Sequence, residues 1–104
     1  MSIRKKYLKE KKVCRATFKW AADKKNPPDK VSVVGDFNDW NVESTPMKKG
    51  KDGSFSVTID FPLNTIYRFR YLVDGIRWEN DETADNYELS PFGTDNSVIH
   101  IESE

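Results

Sequence analysis

The sequence has few of the residues that build disulfides, metal centres or membrane spans. It contains one cysteine and one histidine, so no intrachain disulfide can form and a zinc site or a Cys/His nucleophile pair has little to build on. No run of about 18 apolar residues is present, and the charged first residues lack the apolar segment of a secretory signal. These absences predict a cytoplasmic protein, in a reducing compartment, with no metal, no other cofactor and no membrane association.

Net charge is absent too, but the two signs are separated along the chain. The 17 basic and 17 acidic residues cancel, whereas residues 1–12 are mostly basic and the part from Asp74 onward is mostly acidic. A basic segment can bind nucleic acid or another anionic surface. The other interpretation is a solvated basic leader beside an acidic rim, and the zero net charge favours it.

The sequence does contain a period of two in its apolar residues, which is typical of β-strands. Hydrophobic residues make up 37% of the chain and aromatic residues 12%, enough for one packed core. Turn signals such as Asp52-Gly53 and Asp74-Gly75 separate the alternating segments. The predicted strands are 14–20, 31–34, 47–49, 54–61, 66–73, 76–78 and 97–101. About seven short strands predict an all-β sandwich.

The chain length suits one domain with a modest core. We expect a basic flexible leader, residues 1–12, followed by the sandwich domain, residues 13–104. The leader is expected to be mobile or to form a frayed helical turn. Cys14 shares the alternation of Ala16 and Phe18, which predicts a small buried hydrophobic residue rather than a nucleophile.

Catalysis is the first function to consider, because the chain has 17 carboxylates. A glycosidase needs two carboxyl groups facing each other across a cleft. A sandwich of this size offers no deep cleft, and most of the acidic residues lie in turns or on strand faces. Asp36 and Asp39 are expected to shape their own loop through side-chain hydrogen bonds. The sequence therefore disfavours an enzyme.

Four aromatic residues lie among polar residues near turns: Trp40, Trp78, Tyr87 and Phe92. One interpretation is that their rings cover the open ends of the sandwich. The other is that Trp40 and Trp78 form a platform for a sugar, because a flat indole matches the apolar C–H face of a pyranose. Planar or polar side chains such as Arg70 and Asn96 would then meet the hydroxyl groups. Nucleic acid is disfavoured, since its phosphates would approach the acidic half of the chain.

Three motifs carry a family resemblance: VSVVGDFNDWN, then YRFRYLVDG followed by a tryptophan, then PFGTDNSVIHI. In this order they resemble carbohydrate-binding module family 48, the isoamylase N-terminal-like or early-set domain. Similar domains occur in glycogen branching enzymes, in the β subunit of AMP-activated protein kinase and in small stand-alone bacterial proteins. The resemblance covers nearly the whole chain. It implies an immunoglobulin-like β-sandwich that binds glycogen, starch or maltooligosaccharides, with no catalytic domain.

The resemblance also implies six carbohydrate-binding residues: Trp40, Arg70, Trp78, Phe92, Thr94 and Asn96. Trp40 and Trp78 match the two tryptophans that hold glucose units of an α-1,4-glucan, and Arg70 matches a basic residue that contacts sugar hydroxyls. Phe92 matches a residue that threads against the sugar ring, and the last two match a hydrogen-bonding pair. The sequence departs from the kinase subunit at Asp36, where that protein has serine, and in a longer turn before Trp78.

Two other functions remain open from the sequence. The domain could act as a protein-interaction or regulatory module beside glycogen branching or debranching enzymes of glycoside hydrolase family 13 type, without binding sugar itself. In that hypothesis the basic leader is the docking arm. An enzyme of glycan metabolism is supported only by the family's association with such enzymes, because the catalytic barrel of a branching enzyme is absent from these residues.

Overall fold

The chain folds into two antiparallel β-sheets that pack face to face. The structure, a computed structural model, describes residues 2–91 and 93–102. Within these residues nine strands follow one another: β1 Ser2–Leu8, β2 Val13–Trp20, β3 Val31–Gly35, β4 Lys48–Lys49, β5 Phe55–Pro62, β6 Thr65–Val73, β7 Arg77–Glu79, β8 Asn86–Leu89 and β9 Asp95–Ile101. A 3₁₀ turn, Asp36–Asn38, follows β3. None of the described residues belongs to a helix long and apolar enough to cross a lipid bilayer.

One sheet has four strands in the order β1-β2-β5-β4, and the five-stranded sheet has the order β3-β6-β9-β8 with β7 paired to β6. Aromatic rings from the two sheets meet in the core. Phe18 and Phe69 have ring centroids 5.2 Å apart, and Trp20 and Tyr71 are 5.4 Å apart. These edge-to-face contacts are favourable beyond their buried area. The predicted all-β sandwich is confirmed, and its two sheets agree with the immunoglobulin-like arrangement that the resemblance implies.

The inward side of β2 shows how the alternation builds this core. Cys14, Ala16 and Phe18 are fully buried, while the residues between them are more exposed. Burial raises the pKa of the Cys14 thiol, so this side chain stays protonated and unreactive at neutral pH. The prediction that Cys14 is a small buried hydrophobic residue is confirmed.

The first strand corrects the prediction for the leader. Ser2–Leu8 are not a helical turn or a loose segment but an edge strand, paired with β2 over its whole length. Ile3 and Tyr7 pack against the core. Lys5, which also points inward, binds the carboxylate of Asp85 and donates to the carbonyl of His100, 2.9 Å away, in the opposite sheet. The division into a leader of residues 1–12 and a domain of residues 13–104 stays a prediction.

The other strand that the sequence did not predict is β8, in the polar stretch before the last strand. Its four residues pair with β9 and form an edge of the five-stranded sheet. Two contacts hold it: the Tyr87 hydroxyl donates to the carbonyl of Asp81, and Glu88 pairs with the guanidinium of Arg68. With β1 and β8, the described residues contain two strands more than the seven predicted.

Candidate functional site

Strand β6 carries the residues around which the site is built. Its inward residues, including Phe69 and Tyr71, are fully buried in the core. The alternate residues Arg68, Arg70 and Leu72 therefore lie on the outer face of the five-stranded sheet. Sequence alternation predicts this division, and it is confirmed.

The hairpin after β6 places Trp78 on this same face. Asp74 and Gly75 both have positive φ angles, 53° and 73°, as the tight turns of β-hairpins require. The chain returns so that Trp78 lies directly opposite Leu72. Directly opposed residues of antiparallel strands share a face, so Trp78 lies on the side of Arg70. Trp78 is exposed, with 44% of its surface accessible, whereas its cross-strand partner Leu72 is buried.

Trp40 reaches the same face from the corner after β3. Gly35 ends that strand against β6, where a Cβ atom would lie 2.3 Å from the Arg68 carbonyl oxygen, so no larger residue fits without moving the strands. Asn38 then fixes the 3₁₀ turn: its side chain accepts from the Gly35 amide, 3.0 Å away, and donates to the Thr45 hydroxyl, 2.9 Å away. The Trp40 amide donates back to the Gly35 carbonyl at 2.9 Å. Trp40 itself is half-buried.

Phe37 anchors this corner to the interior. Its ring lies 5.4 Å from that of Phe61 and 5.9 Å from that of Tyr67, measured between centroids. Phe37 therefore points inward, whereas Trp40 is half-buried. Trp20 is buried in the core.

Asp36 connects the Trp40 corner to β6. One carboxylate oxygen accepts the indole Nε1–H of Trp40 at 2.9 Å. The other accepts the backbone N–H of Arg68 at 2.8 Å. The expectation that Asp36 shapes its own loop is thus confirmed. The carboxylate also binds a strand 32 residues further along the chain.

Arg70 is held in place by the polar residues before and at the start of β9. Its Nε–H donates to the Asn96 side-chain oxygen at 2.7 Å, and one terminal nitrogen donates to the Thr94 hydroxyl at 2.6 Å. These partners are neutral. Arg68, by contrast, is bound by carboxylates: the hydrogen bond and charge of Glu88, with a smaller contribution from Asp36, raise the pKa of Arg68. Of the two guanidinium groups, Arg70 is thus the one bound to uncharged partners.

These side chains surround a cleft of about 450 Å³ on the outer face of the five-stranded sheet, within the size range of small-molecule sites. The cleft is lined by Asp36, Trp40, Arg68, Arg70, Trp78, Ser90, Pro91 and Asn96.

Four of the six predicted site residues line this cleft: Trp40, Arg70, Trp78 and Asn96. Thr94 is joined to it through its hydrogen bond with Arg70. Phe92 lies outside the described residues. The two tryptophans therefore share one cleft, as a sugar platform requires, and neither ring is enclosed by the core.

Sequence reasoning did not assign the other lining residues to the site. Asp36 was interpreted only as a loop residue, although its position four residues before Trp40 is within reach of the indole N–H in a tight turn. Arg68 lies two residues before Arg70, but the resemblance does not assign it to the site. Ser90 and Pro91 follow β8, a strand that the sequence did not predict. Their signal is the proline just before the last strand, which marks a turn at the rim of the sheet.

The described lining of the cleft does not contain the pair of carboxyl groups that glycoside hydrolysis needs. Among its described lining residues Asp36 is the sole carboxylate, and both of its oxygens are bound by donors of the protein. The fully buried Asp81 is elsewhere, held by the Tyr71 hydroxyl and by Thr83. A glycosidase mechanism needs two carboxyl groups across the scissile bond. The described cleft can bind and orient a ligand but offers no such pair.

The comparisons with known proteins agree on the type of domain. The family described as the glycogen recognition site of AMP-activated protein kinase matches residues 14–104. A 1,4-alpha-glucan branching enzyme of Aquifex aeolicus (strain VF5) is 39% identical over 57 residues, which are 53% of this chain. The matched part spans only 9% of that enzyme's length.

Proposed function

Because this chain belongs to the family of glycogen recognition sites of AMP-activated protein kinase, we propose that its cleft binds a short stretch of α-1,4-linked glucan. The chain is a carbohydrate-binding module, and in this proposal it performs no catalysis of its own. The observation that carries the proposal is the convergence of Trp40, Trp78 and Arg70 on one open cleft. The same proposal assigns the protein to the cytoplasm, where glycogen is stored.

The chemistry of the cleft suits a neutral sugar. Each glucose unit has an apolar face of C–H groups, which the flat indole rings of Trp40 and Trp78 can cover. Its rim of hydroxyls needs both donors and acceptors, and Arg70, Thr94 and Asn96 supply them from one hydrogen-bonded group. We expect weak affinity, because the cleft is open and sugar hydroxyls exchange bonds with water for bonds with protein.

The test is a titration with maltoheptaose, followed in ¹⁵N–¹H NMR spectra of the full chain. We expect saturable shifts at millimolar sugar that map to β6, β7 and the Trp40 corner. Trp40→Ala and Trp78→Ala should each weaken binding about five- to thirtyfold, because about 1–2 kcal/mol of ring contact is lost. Ile76→Ala is the matched control: Ile76 is 85% exposed, lies two residues before Trp78 and does not line the cleft, so affinity should not change.

An unchanged wild-type spectrum at millimolar maltoheptaose would contradict the proposal. So would shifts confined to the four-stranded sheet, because they would place the sugar on the other side of the sandwich.

A second candidate function, docking to a glycogen-metabolising enzyme, has its own structural support. Strand β1 adds Arg4 and Lys6 to the outer face of the four-stranded sheet, where they lie opposite Thr17 and Arg15 of β2. Lys19 of β2 lies on the same face, opposite Ser2. This basic face is turned away from the cleft and suits an acidic protein surface. Its described residues include no aromatic ring on which a nucleobase could stack, which disfavours single-stranded nucleic acid.

A further inference from the structure

The Trp40 ring can only serve as a sugar platform if its plane is fixed, and the structure offers one group that fixes it. We propose that Asp36 is a positioning residue of the cleft: its carboxylate holds the indole of Trp40 in the orientation that the ligand meets. The inference rests on the proposed glucan-binding function but adds a residue that the family resemblance does not assign to the site.

The two oxygens of Asp36 have separate partners. Oδ1 accepts the indole Nε1–H of Trp40 at 2.9 Å, and Oδ2 accepts the backbone N–H of Arg68 at 2.8 Å. Hydrogen bonds in which the acceptor is ionised are stronger than those between neutral groups. A single carboxylate therefore links a loop side chain to the backbone of a central strand.

The strand at the other end of this link carries the rest of the site. Arg70 follows Arg68 by two residues on β6, on the same face, and Trp78 lies on β7, which pairs with the same strand. Fixing Trp40 to β6 thus fixes the distance between its ring and the other binding groups. Binding sites need this kind of support, because a ring displaced by about 1 Å loses its contact with the ligand.

Packing alone leaves the ring less constrained. Trp40 is half-buried, so part of its surface stays open to solvent and the surrounding residues do not enclose it. It also follows Asp39 with a second positive φ angle, 56° at both residues. A hydrogen bond at the edge of the indole removes the remaining rotation about the side-chain bonds. The conformational entropy of the Trp40 side chain is then already lost in the free protein, so it is not lost again when a ligand binds.

The arrangement also limits what Trp40 can contribute. An indole has one donor, and here Asp36 accepts from it. Trp40 then offers a sugar its ring face alone, and hydroxyl recognition falls to Arg70, Thr94 and Asn96. A serine at residue 36, as in the kinase subunit that the sequence resembles, has a shorter side chain with one oxygen and cannot hold both donors in this way.

The test compares Asp36→Ser and Asp36→Asn with the control Asp39→Asn, a carboxylate in the same corner that does not line the cleft. In the full-length protein, the Trp40 indole Nε1–H resonance reports the hydrogen bond, maltoheptaose titration reports affinity and thermal unfolding reports stability. In Asp36→Ser we expect an upfield shift of that resonance, faster exchange with water and five- to tenfold weaker binding. Asp36→Asn has one acceptor oxygen for two donors, so its loss should be smaller. Asp39→Asn should match the wild type.

Maltoheptaose affinity within twofold of wild type in both Asp36 variants would overturn the proposal, as would an unmoved Trp40 indole resonance. Lower stability with unaltered affinity would reduce Asp36 to a structural residue and also contradict it. If the wild type binds no maltoheptaose, the proposed function fails. The indole resonance still decides then whether Asp36 orients Trp40, so the two failures are distinguishable.

Discussion

Asp81 is a fully buried carboxylate whose position is explained by its hydrogen bonds. The Tyr71 hydroxyl donates to one oxygen at 2.6 Å, and the amide and hydroxyl of Thr83 donate to the other, each at 2.8 Å. A buried charge without partners would be strongly destabilising, so these donors are required for the fold. Asp81 was expected to belong to an acidic solvated rim, and the structure turns it inward instead.

This contact makes the stability of the fold sensitive to alkaline pH. Burial, followed by the charge and hydrogen bond of Asp81, raises the pKa of Tyr71. Because the folded state favours the protonated phenol, the resulting stabilisation is complete below about pH 10, the ordinary tyrosine pKa, and is lost as the pH rises above it. Tyr71→Phe should lower the free energy of unfolding by about 1–3 kcal/mol at pH 8, because Asp81 loses a donor. Between pH 9 and 11, the free energy of unfolding of Tyr71→Phe should decrease less than that of the wild type.

Urea unfolding at a series of pH values, followed by tryptophan fluorescence, measures both effects. Tyr67→Phe is the control, since Tyr67 lies half-buried on the same face of β6. Parallel pH curves for the wild type and Tyr71→Phe would show that Tyr71 does not cause the alkaline loss.

At the scale of elements, the sequence predicted the strands whose alternation is regular and missed the two that depend on distant partners. In β1 the inward series reads Ile3, Lys5, Tyr7, and a lysine at an inward position breaks the apolar pattern. It is tolerated because its partner Asp85 comes from the far end of the chain, 80 residues away. The sequence around Lys5 does not indicate that Asp85 is its partner. In β8 the alternation is equally hidden, because Leu89 is 73% exposed and Glu88 is paired with Arg68.

Deleting residues 1–8 distinguishes an edge strand from a loose leader. We expect the free energy of unfolding to fall by about 2–4 kcal/mol, because Ile3 and Tyr7 no longer cover the core. Chemical denaturation of the truncated and full-length chains gives the difference. The double variant Arg4→Ser, Lys6→Ser removes only outward side chains of β1 and should change stability by less than about 0.5 kcal/mol. Equal denaturation midpoints for the truncated and full-length chains would contradict this expectation and would favour a flexible leader.

The site itself was predictable only in part, for a related reason. The sequence motifs predicted the two tryptophans, Arg70 and the pair Thr94 and Asn96, because these residues lie in recognisable local patterns. The roles of Asp36 and Arg68 depend on a contact between β6 and the corner after β3, which exists only once the sheet has formed. One rim of the cleft is formed by the turn after β8, and the sequence did not predict that strand.

For the whole molecule, the cleft and the basic face lie on opposite sides of the sandwich. The cleft lies on the outer face of the five-stranded sheet, and the basic face with Arg4, Lys6 and Lys19 lies on the outer face of the other sheet. Two packed sheets, about 10 Å apart, separate them. A glucan and an acidic protein could therefore be bound at the same time.

Charge reversal on the basic face tests this independence. Arg4→Glu with Lys6→Glu should leave maltoheptaose affinity within twofold at both 50 and 300 mM salt, because the sugar is neutral and the faces are opposed. Binding to a purified glycogen branching or debranching enzyme, measured by calorimetry, should weaken, and more at low salt than at high salt. Arg4→Ser with Lys6→Ser serves as the milder control. Partner binding that ignores these charges would exclude the basic face as the docking surface.

The corner after β3 holds two consecutive residues, Asp39 and Trp40, in the left-handed backbone region. Such conformations cost about 1–3 kcal/mol at residues other than glycine, and they persist only where the surroundings enforce them. The molecule is thus less stable than it would be with a relaxed loop, and in exchange the indole stands ready before any ligand arrives. A ligand that contacts this corner does not have to order the backbone of Trp40, so less conformational entropy is lost on binding.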